Sequence, residues 1–148
     1  MGVLQSGWMT RPIQILLVED NPGDVRLTME ALKESQYPSK LHVATDGVEA
    51  MDYLRNGAHP DLILLDLNLP RRSGREVLAE IKADPTLRRI PVMVLSTSRS
   101  EADVQFSYDH YANCYIQKPM ELDRFFDMVR SIEQFWCSVA SLPANHRS

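Results

Sequence analysis

The sequence of 148 residues predicts an α/β fold in which a mostly parallel sheet carries helices on both faces. Short runs of β-branched and aliphatic residues alternate five times with segments of helical apolar periodicity. The third such run, 62–65, is apolar at every position, which is typical of a parallel strand buried on both faces. The composition fits one soluble globular domain, since hydrophobic residues make up 44% and charged residues 24%.

The first two strand–helix units are bounded by residues that begin and end helices. The first strand is predicted at 13–18, and Pro22 suits the first helical position because its missing N–H costs nothing there. This helix is expected to end near Gln36, ahead of a proline-containing break. Its buried face is predicted to consist of Val25, Met29 and Leu32. A second strand at 41–44 and a second helix at 48–55 follow.

The second half of the chain continues the alternation. Strands are predicted at 62–65, 92–95 and 114–117. Helices are predicted at 73–83, at 101–111 and from residue 121 onward. Right-handed crossovers restrict the possible topologies, and ligands of such sheets bind beyond the carboxyl ends of the strands, where the strand order reverses. Chemistry is therefore expected at the strand ends.

Four of the five predicted strands lead into polar residues. In chain order these are Glu19 and Asp20, Asp66, Ser96 and Thr97, and Lys118. Three carboxylates at one edge repel one another, and a hard cation such as Mg²⁺ relieves that repulsion. A carboxylate beside such a cation can act as a nucleophile and form an acyl phosphate, while the cation, an ammonium and a hydroxyl stabilise the phosphoryl oxygens. The pattern predicts a phosphoryl-transfer site.

Each of these residues also has a simpler interpretation. Acidic residues after a strand often cap a helix, Asp66 alone would be a turn residue, and Lys118 alone an ordinary strand exit. Their coincidence on four strand ends favours a site. Strand two contributes no similar residue, which indicates an edge strand.

Four segments together resemble the response-regulator receiver family. They are 62–70 around Asp66, Gly74, 91–96 ending in Ser96, and 115–119 containing Lys118. The resemblance covers about residues 12–133 and implies a flavodoxin-like, doubly wound sheet of five parallel strands in the order 2-1-3-4-5. We divide the chain into a lead at 1–10 that is expected to be disordered, a receiver domain at 11–131 and a C-terminal extension at 132–148 that is expected to form a dimer.

The resemblance implies a single-domain response regulator of a two-component phosphorelay. Asp66 would accept a phosphoryl group from a histidine kinase, and Lys118 would pair with that group. Mg²⁺ would be held by Asp66, Asp20, Glu19 through water, and the backbone carbonyl of Asn68. The protein would not turn over a substrate; we expect only Mg²⁺-dependent self-phosphorylation from a phosphodonor and slow autodephosphorylation.

Ser96 and Tyr115 would form the switch pair of the family. The hydroxyl would move to the new phosphoryl oxygen, and the aromatic ring would then turn inward, which changes the face formed by helix four, strand five and helix five. Ser96 stands where threonine is commoner. Thr97, beside the phosphoryl group, stands where the family usually has a very small residue, so access and phosphoryl lifetime could differ.

A narrower resemblance concerns single-domain regulators paired with cyanobacterial phytochromes. It depends on Asp24 and Arg26, on the stretches 74–82 and 113–116, and on the tail 132–136. It implies that the kinase is a red/far-red photoreceptor.

Two other functions are alternatives to a phosphorylated receiver. A pseudo-receiver binds partners without phosphorylation, but that class usually lacks the acceptor aspartate or the lysine. A phosphatase that passes through an aspartyl phosphate would carry a second aspartate as general acid, where this chain has Asn68. The receiver interpretation is therefore preferred.

The fifth helix carries an apolar stripe that is longer than a receiver needs. It comprises Leu122, Phe125, Val129, Ile132, Trp136 and Val139. The residues from Leu122 to Val129 are expected in the core, whereas Trp136 and Val139 are expected to project past the sheet. This pattern predicts a twofold homodimer through the face of helix four, strand five and helix five, with the interface residues Phe126, Ile132, Phe135, Trp136 and Val139. The alternative is that the tail folds back over its own domain.

The charge and hydropathy of the chain argue against nucleic acid and membranes as partners. A net charge of −4 argues against nucleic acid, and no apolar run is long enough for a membrane span. Two cysteines without a CxxC motif predict free thiols in a reducing cytoplasm.

Overall fold

The computed structural model describes residues 12–35 and 38–136, which form a parallel five-stranded sheet between two layers of helices. The strands are β1 Ile13–Val18, β2 Ser39–Ala44, β3 Leu62–Asp66, β4 Val92–Ser96 and β5 Cys114–Gln117. The helices are α1 Pro22–Lys33, α2 Gly47–Arg55, α3 Gly74–Ala83, α4 Glu101–Asp109 and α5 Leu122–Gln134. A short 3₁₀ turn, Leu87–Arg89, precedes β4. The sheet order β2-β1-β3-β4-β5 confirms the predicted topology and the edge position of strand two.

The strands of the sheet centre are buried on both faces. Every residue of β3 is buried, and the side chains of β1 alternate between two apolar clusters. One cluster joins Leu16 and Val18 to α2 and α3, and the other joins Ile15 and Leu17 to the layer of α1 and α5. The burial of β3 on both faces confirms the interpretation of its uninterrupted apolar run.

Side-chain caps explain where the helices begin. Asn21 Oδ1 accepts the N–H of Asp24 ahead of α1, and Asp46 caps α2 in the same way. Ser73 and Glu76 form a reciprocal capping box at the start of α3. Each cap satisfies a backbone N–H that the helix itself leaves unpaired.

Helix α1 differs from its predicted form in length and in its buried face. It ends at Lys33, and Met29 is 43% exposed, so the prediction that Met29 is buried is wrong. The buried side chains are the small residues Thr28 and Ala31, because Ala31 packs directly against Phe125 and Val129 of α5. A long side chain is excluded from the centre of so close a helix pair. Met29 is next to Thr28 in sequence and therefore points away from this contact, toward solvent.

Helix α5 also corrects two predictions. Leu122 is 56% exposed rather than buried, because it lies in the first turn, beyond the end of the sheet. Trp136 does not project past the sheet: it packs on the cluster containing Ile13, and its Nε1–H donates to Met93 Sδ at 2.9 Å. The 15 residues from 122 to 136 rise about 22 Å, which brings Trp136 over the opposite strand ends.

The predicted dimer residues therefore lie in different environments. Ile132 is buried in the core of its own chain, Phe126 is half-buried against α1, and Phe135 is 48% exposed. Val139 and the lead at 1–10 lie outside the described residues. For Ile132 and Trp136 the structure agrees with the alternative that the tail folds back.

In the part of the chain that the structure describes, no helix combines the length and apolar character that a membrane span requires.

Candidate functional site

The carboxyl ends of β1, β3 and β5 bring four predicted site residues together. Lys118 follows β5, and its Nζ lies 3.1 Å from Asp66 Oδ2 at the end of β3. The same ammonium donates to Glu19 Oε1 after β1. The carboxylates of Glu19, Asp20 and Asp66 each place an oxygen within 4.8 Å of the others. The sheet thus unites groups that are far apart in the sequence.

Burial and mutual repulsion make it unfavourable for all the carboxylates of this cluster to be charged at once. Glu19 and Asp66 are 2% and 8% exposed, whereas Asp20 lies open to solvent. Burial raises the pKa of Glu19 to about 7, and the negative charge of Asp66 also raises it, while the hydrogen bond from Lys118 opposes both effects. The three clustered carboxylates carry more negative charge than the single Lys118 ammonium that contacts Glu19 and Asp66 can neutralise.

Lys118 remains an ammonium at this site. Burial alone would lower its pKa, but hydrogen bonding to Glu19 and the charges of Asp66 and Glu19 outweigh burial and raise the pKa above its usual range. The site therefore contains one permanent cation beside an excess of carboxylates.

The donor set fits a divalent cation. All three clustered groups are carboxylates, which are hard oxygen ligands, and exposed Asp20 provides an approach from solvent. Asn68 lies two residues beyond Asp66, and its N–H donates to Asp66 Oδ1 at 3.0 Å. This hydrogen bond fixes the orientation of the Asp66 carboxylate at the point where the chain turns after β3.

The loop after Asp66 is packed tightly against α3. A Cβ placed on Gly74 would lie 2.1 Å from the backbone O of Asp66 and 2.5 Å from Leu67 Cα. The N–H of Gly74 donates to Leu67 O at 3.0 Å. Only glycine permits this approach, which explains why a glycine follows the acidic loop in the motif.

The two residues predicted to form the switch pair are connected through Ser98. Ser96 is fully buried at the end of β4, and its Oγ accepts the N–H of Ser98 at 3.1 Å. Tyr115 is half-buried in β5, and its hydroxyl donates to Ser98 O at 2.9 Å. Thr97, between them in sequence, is exposed to solvent at the same strand end.

Two participants were missed by sequence reasoning. Asp24 Oδ2 lies 3.0 Å from Lys118 Nζ, although the sequence marked Asp24 only as part of a subfamily pattern. The sequence assigns no role to Ser98, whose N–H and carbonyl contact the predicted switch pair. The available signal for Asp24 was its place in the first turn of a helix that begins at the same strand edge.

The chain is similar to known proteins over most of its length. The receiver-domain profile of response regulators matches residues 15–130. Response regulator Rcp1 from Synechocystis sp. is 50% identical over 139 residues, which cover 90% of this chain and 95% of Rcp1.

Two solved structures are similar over 90% of this chain. The phosphorylated cyanobacterial phytochrome response regulator RcpA shares 55% identity at a TM-score of 0.87, with 90% of this chain and 99% of that chain covered. The Mn²⁺-bound form of Rcp1 shares 50% identity at a TM-score of 0.86, with 90% and 100% covered. The chain belongs to the response regulator receiver domain family.

Proposed function

We propose that this receiver is phosphorylated on Asp66 by a histidine kinase, with Mg²⁺ held by Glu19, Asp20 and Asp66. The observation that carries the proposal is the contact of 3.1 Å between Lys118 Nζ and Asp66 Oδ2 beside the carboxylate cluster. This contact places the nucleophile, the Asp66 carboxylate, beside the permanently charged ammonium of Lys118 at an edge that solvent can reach. We propose that the backbone carbonyl of Asn68 completes the protein ligands.

The transfer step follows from these positions. The Asp66 carboxylate attacks phosphorus, a new O–P bond forms, and the P–N bond to the kinase histidine breaks, so that the imidazole leaves with the electron pair. Lys118 donates to the phosphoryl oxygens and offsets their charge. Ser96 Oγ already accepts the Ser98 N–H, so its own hydrogen is free to donate to a phosphoryl oxygen. Bound Mg²⁺ would neutralise charge shared by the carboxylates and the phosphoryl group.

The same contacts support a switch from Ser96 to Tyr115. Movement of the Ser96 hydroxyl toward the phosphoryl group would disturb its bond with Ser98 N–H, and Ser98 O is the acceptor of the Tyr115 hydroxyl. Phosphorylation would thus alter the surface of α4, β5 and α5. Exposed Thr97 would lie beside the phosphoryl group and influence its lifetime.

The partner proposed for this cytoplasmic module is a phytochrome kinase. The proposal is supported by RcpA, which is a cyanobacterial phytochrome response regulator, at 55% identity. Self-phosphorylation from a small phosphodonor and slow autodephosphorylation would be its only chemistry, and with a net charge of −4 we propose no nucleic-acid partner.

The phosphorylation proposal predicts a gain of one phosphoryl group on Asp66. The protein is incubated with Mg²⁺ and phosphoramidate, and its intact mass is measured. The Asp66→Asn variant keeps the size of the side chain but removes the nucleophile, so we expect no gain. An unchanged mass of the wild type, or an equal gain in both proteins, would contradict the assignment.

We further propose a twofold homodimer through the face of α4, β5 and α5. Five large apolar side chains on or next to these elements remain exposed: Tyr108 at 49%, Tyr111 at 76%, Met120 at 95%, Leu122 at 56% and Phe135 at 48%. Exposed apolar surface on this scale is typical of an interface. Because Ile132 and Trp136 are committed to their own core, Phe135 is the described tail residue best placed to contact a partner.

The dimer proposal predicts that Phe135→Glu weakens self-association, since it places a charge in an apolar contact. Sedimentation of the protein at tens of micromolar, before and after phosphorylation, measures whether it is a monomer or a dimer. Met29→Glu is the matched control, because Met29 is also exposed but lies on α1. A wild type that is monomeric under both conditions would rule out the dimer.

A further inference from the structure

Asp24 is a third carboxylate on Lys118, and a helix holds it there. Its Oδ2 lies 3.0 Å from Lys118 Nζ, and its side chain is 25% exposed. Its backbone N–H donates to Asn21 Oδ1 at 3.0 Å, and its carbonyl accepts the hydroxyl of Thr28 at 2.8 Å. The first turn of α1 therefore fixes the carboxylate beside the ammonium, with little of the freedom a loop would give.

The contacts of Lys118 use its full donor capacity. A lysine ammonium has three N–H groups, and Nζ contacts one oxygen each of Glu19, Asp24 and Asp66. An incoming phosphoryl oxygen therefore receives an N–H from Lys118 only when one of these carboxylates releases it.

The three carboxylates differ in what they can do after release. Glu19 and Asp66 belong to the acidic cluster, where a divalent cation offers a replacement partner, and Asp66 itself would carry the phosphoryl group. Asp24 is not a member of the cluster found among the described residues. Its bond to Lys118 therefore competes directly with the phosphoryl oxygens for an N–H, and its charge also opposes an approaching anion.

We propose that Asp24 competes with the phosphoryl group for Lys118 and thereby sets the rate of Asp66 phosphorylation. The inference rests on the function proposed above. Asp24 acts here as a positioning residue, because it contacts the lysine rather than the reacting atoms. Its presence keeps the unmodified protein in a resting arrangement in which the ammonium is shared by the protein's own carboxylates.

The test compares wild type with Asp24→Asn, which keeps the shape of the side chain and removes its charge. We expect the initial rate of phosphorylation by phosphoramidate with Mg²⁺ to rise about 3- to 10-fold, the range that one net hydrogen bond represents. The affinity for beryllofluoride, an analogue of the phosphoryl group, should rise by a similar factor at saturating Mg²⁺. Glu30→Gln is the control, since it removes one exposed charge further along α1, and its rate should stay within about twofold of wild type.

The second readout separates competition from a structural role. Loosening of the α1 start would lower beryllofluoride affinity together with the rate, whereas loss of a competitor raises both. If wild type gains a phosphoryl group and Asp24→Asn is phosphorylated no faster, the role of Asp24 is overturned while the function of Asp66 stands. If wild type gains none, both proposals are overturned.

Discussion

Replacement of Lys118 by methionine is expected to slow phosphorylation of Asp66 by about 10- to 100-fold, which approaches the loss seen when a preorganised donor is removed from a developing anion. Lys118 Nζ lies 3.1 Å from Asp66 Oδ2, and the side chain is only 5% exposed, so water cannot readily take over its role. Methionine fills a similar volume without charge. The rate of mass gain with phosphoramidate and Mg²⁺ measures the effect.

The same substitution should strengthen Mg²⁺ binding. Lys118 now competes with any cation for Glu19 and Asp66, so its removal leaves those carboxylates to the metal. We expect an affinity about tenfold higher, equivalent to about 1.4 kcal/mol. A folding defect would weaken phosphorylation and metal binding together, so opposite changes identify the loss of the ammonium.

Lys82→Met provides the matched control for this experiment. Lys82 Nζ donates to the carbonyls of Arg88 and Ile90, and burial lowers its pKa to about 8. Its loss should reduce stability but leave the phosphorylation rate of the folded protein unchanged. A Lys118→Met protein phosphorylated as fast as wild type would exclude Lys118 from the transfer step.

The sequence was sufficient for the fold and for the location of the site because both depend on short-range patterns. An apolar run such as 62–65 has one stable environment, a strand covered on both faces, and the alternation of strands with helices leaves few topologies. Once the strands are parallel, their carboxyl ends share an edge. Asp66 and Lys118 had therefore to approach each other, as they do.

What the sequence could not supply depends on how helices lie on the sheet. The apolar periodicity of α1 admitted Met29, but the close approach of α5 selects Thr28 and Ala31. The stripe of α5 suggested that Trp136 lay beyond the sheet, whereas the starting point of that helix brings it over Met93. These outcomes depend on a helix offset of a few ångströms, which periodicity does not encode.

The contact between Asp24 and Lys118 has the same origin. The two residues are 94 positions apart, and their meeting requires a particular tilt of the first turn of α1. Spacing predicted the members of the site that follow strands directly. It did not predict the member that reaches the site from a helix, nor the Ser98 backbone that connects Ser96 with Tyr115.

Stability without divalent cations is expected to fall as pH rises from about 4.5 to 7, by up to about 3 kcal/mol from Glu19. The pKa of Glu19 is about 7 in the folded protein, compared with the ordinary value of 4.5 that applies to the unfolded chain. Between these values the folded state binds the extra proton, so raising the pH favours unfolding. Chemical denaturation at several pH values measures the slope. The raised pKa of Lys118 has no effect in this pH range, because Lys118 is protonated there in both the folded and the unfolded protein.

Mg²⁺ should reverse this trend if it is held by Glu19, Asp20 and Asp66 as proposed, since it would bind them as carboxylates and compete with the proton. We expect the rise in melting temperature on adding Mg²⁺ to be larger at pH 7.5 than at pH 5.5. Glu19→Gln should flatten the pH dependence and reduce the difference between the two Mg²⁺ responses.

Glu133→Gln separates these effects, because Glu133 is also buried with a raised pKa but lies near Ser35 at the other end of α1. Its substitution should change the pH dependence of stability and leave the Mg²⁺ response intact. An equal Mg²⁺ response at both pH values in wild type would mean that the proton on Glu19 does not compete with the metal. Glu19 would then lie outside the ligand set, and Asp20 and Asp66 would be left as the carboxylates that hold the metal, while the charge of Glu19 would be offset by Lys118 or by protonation.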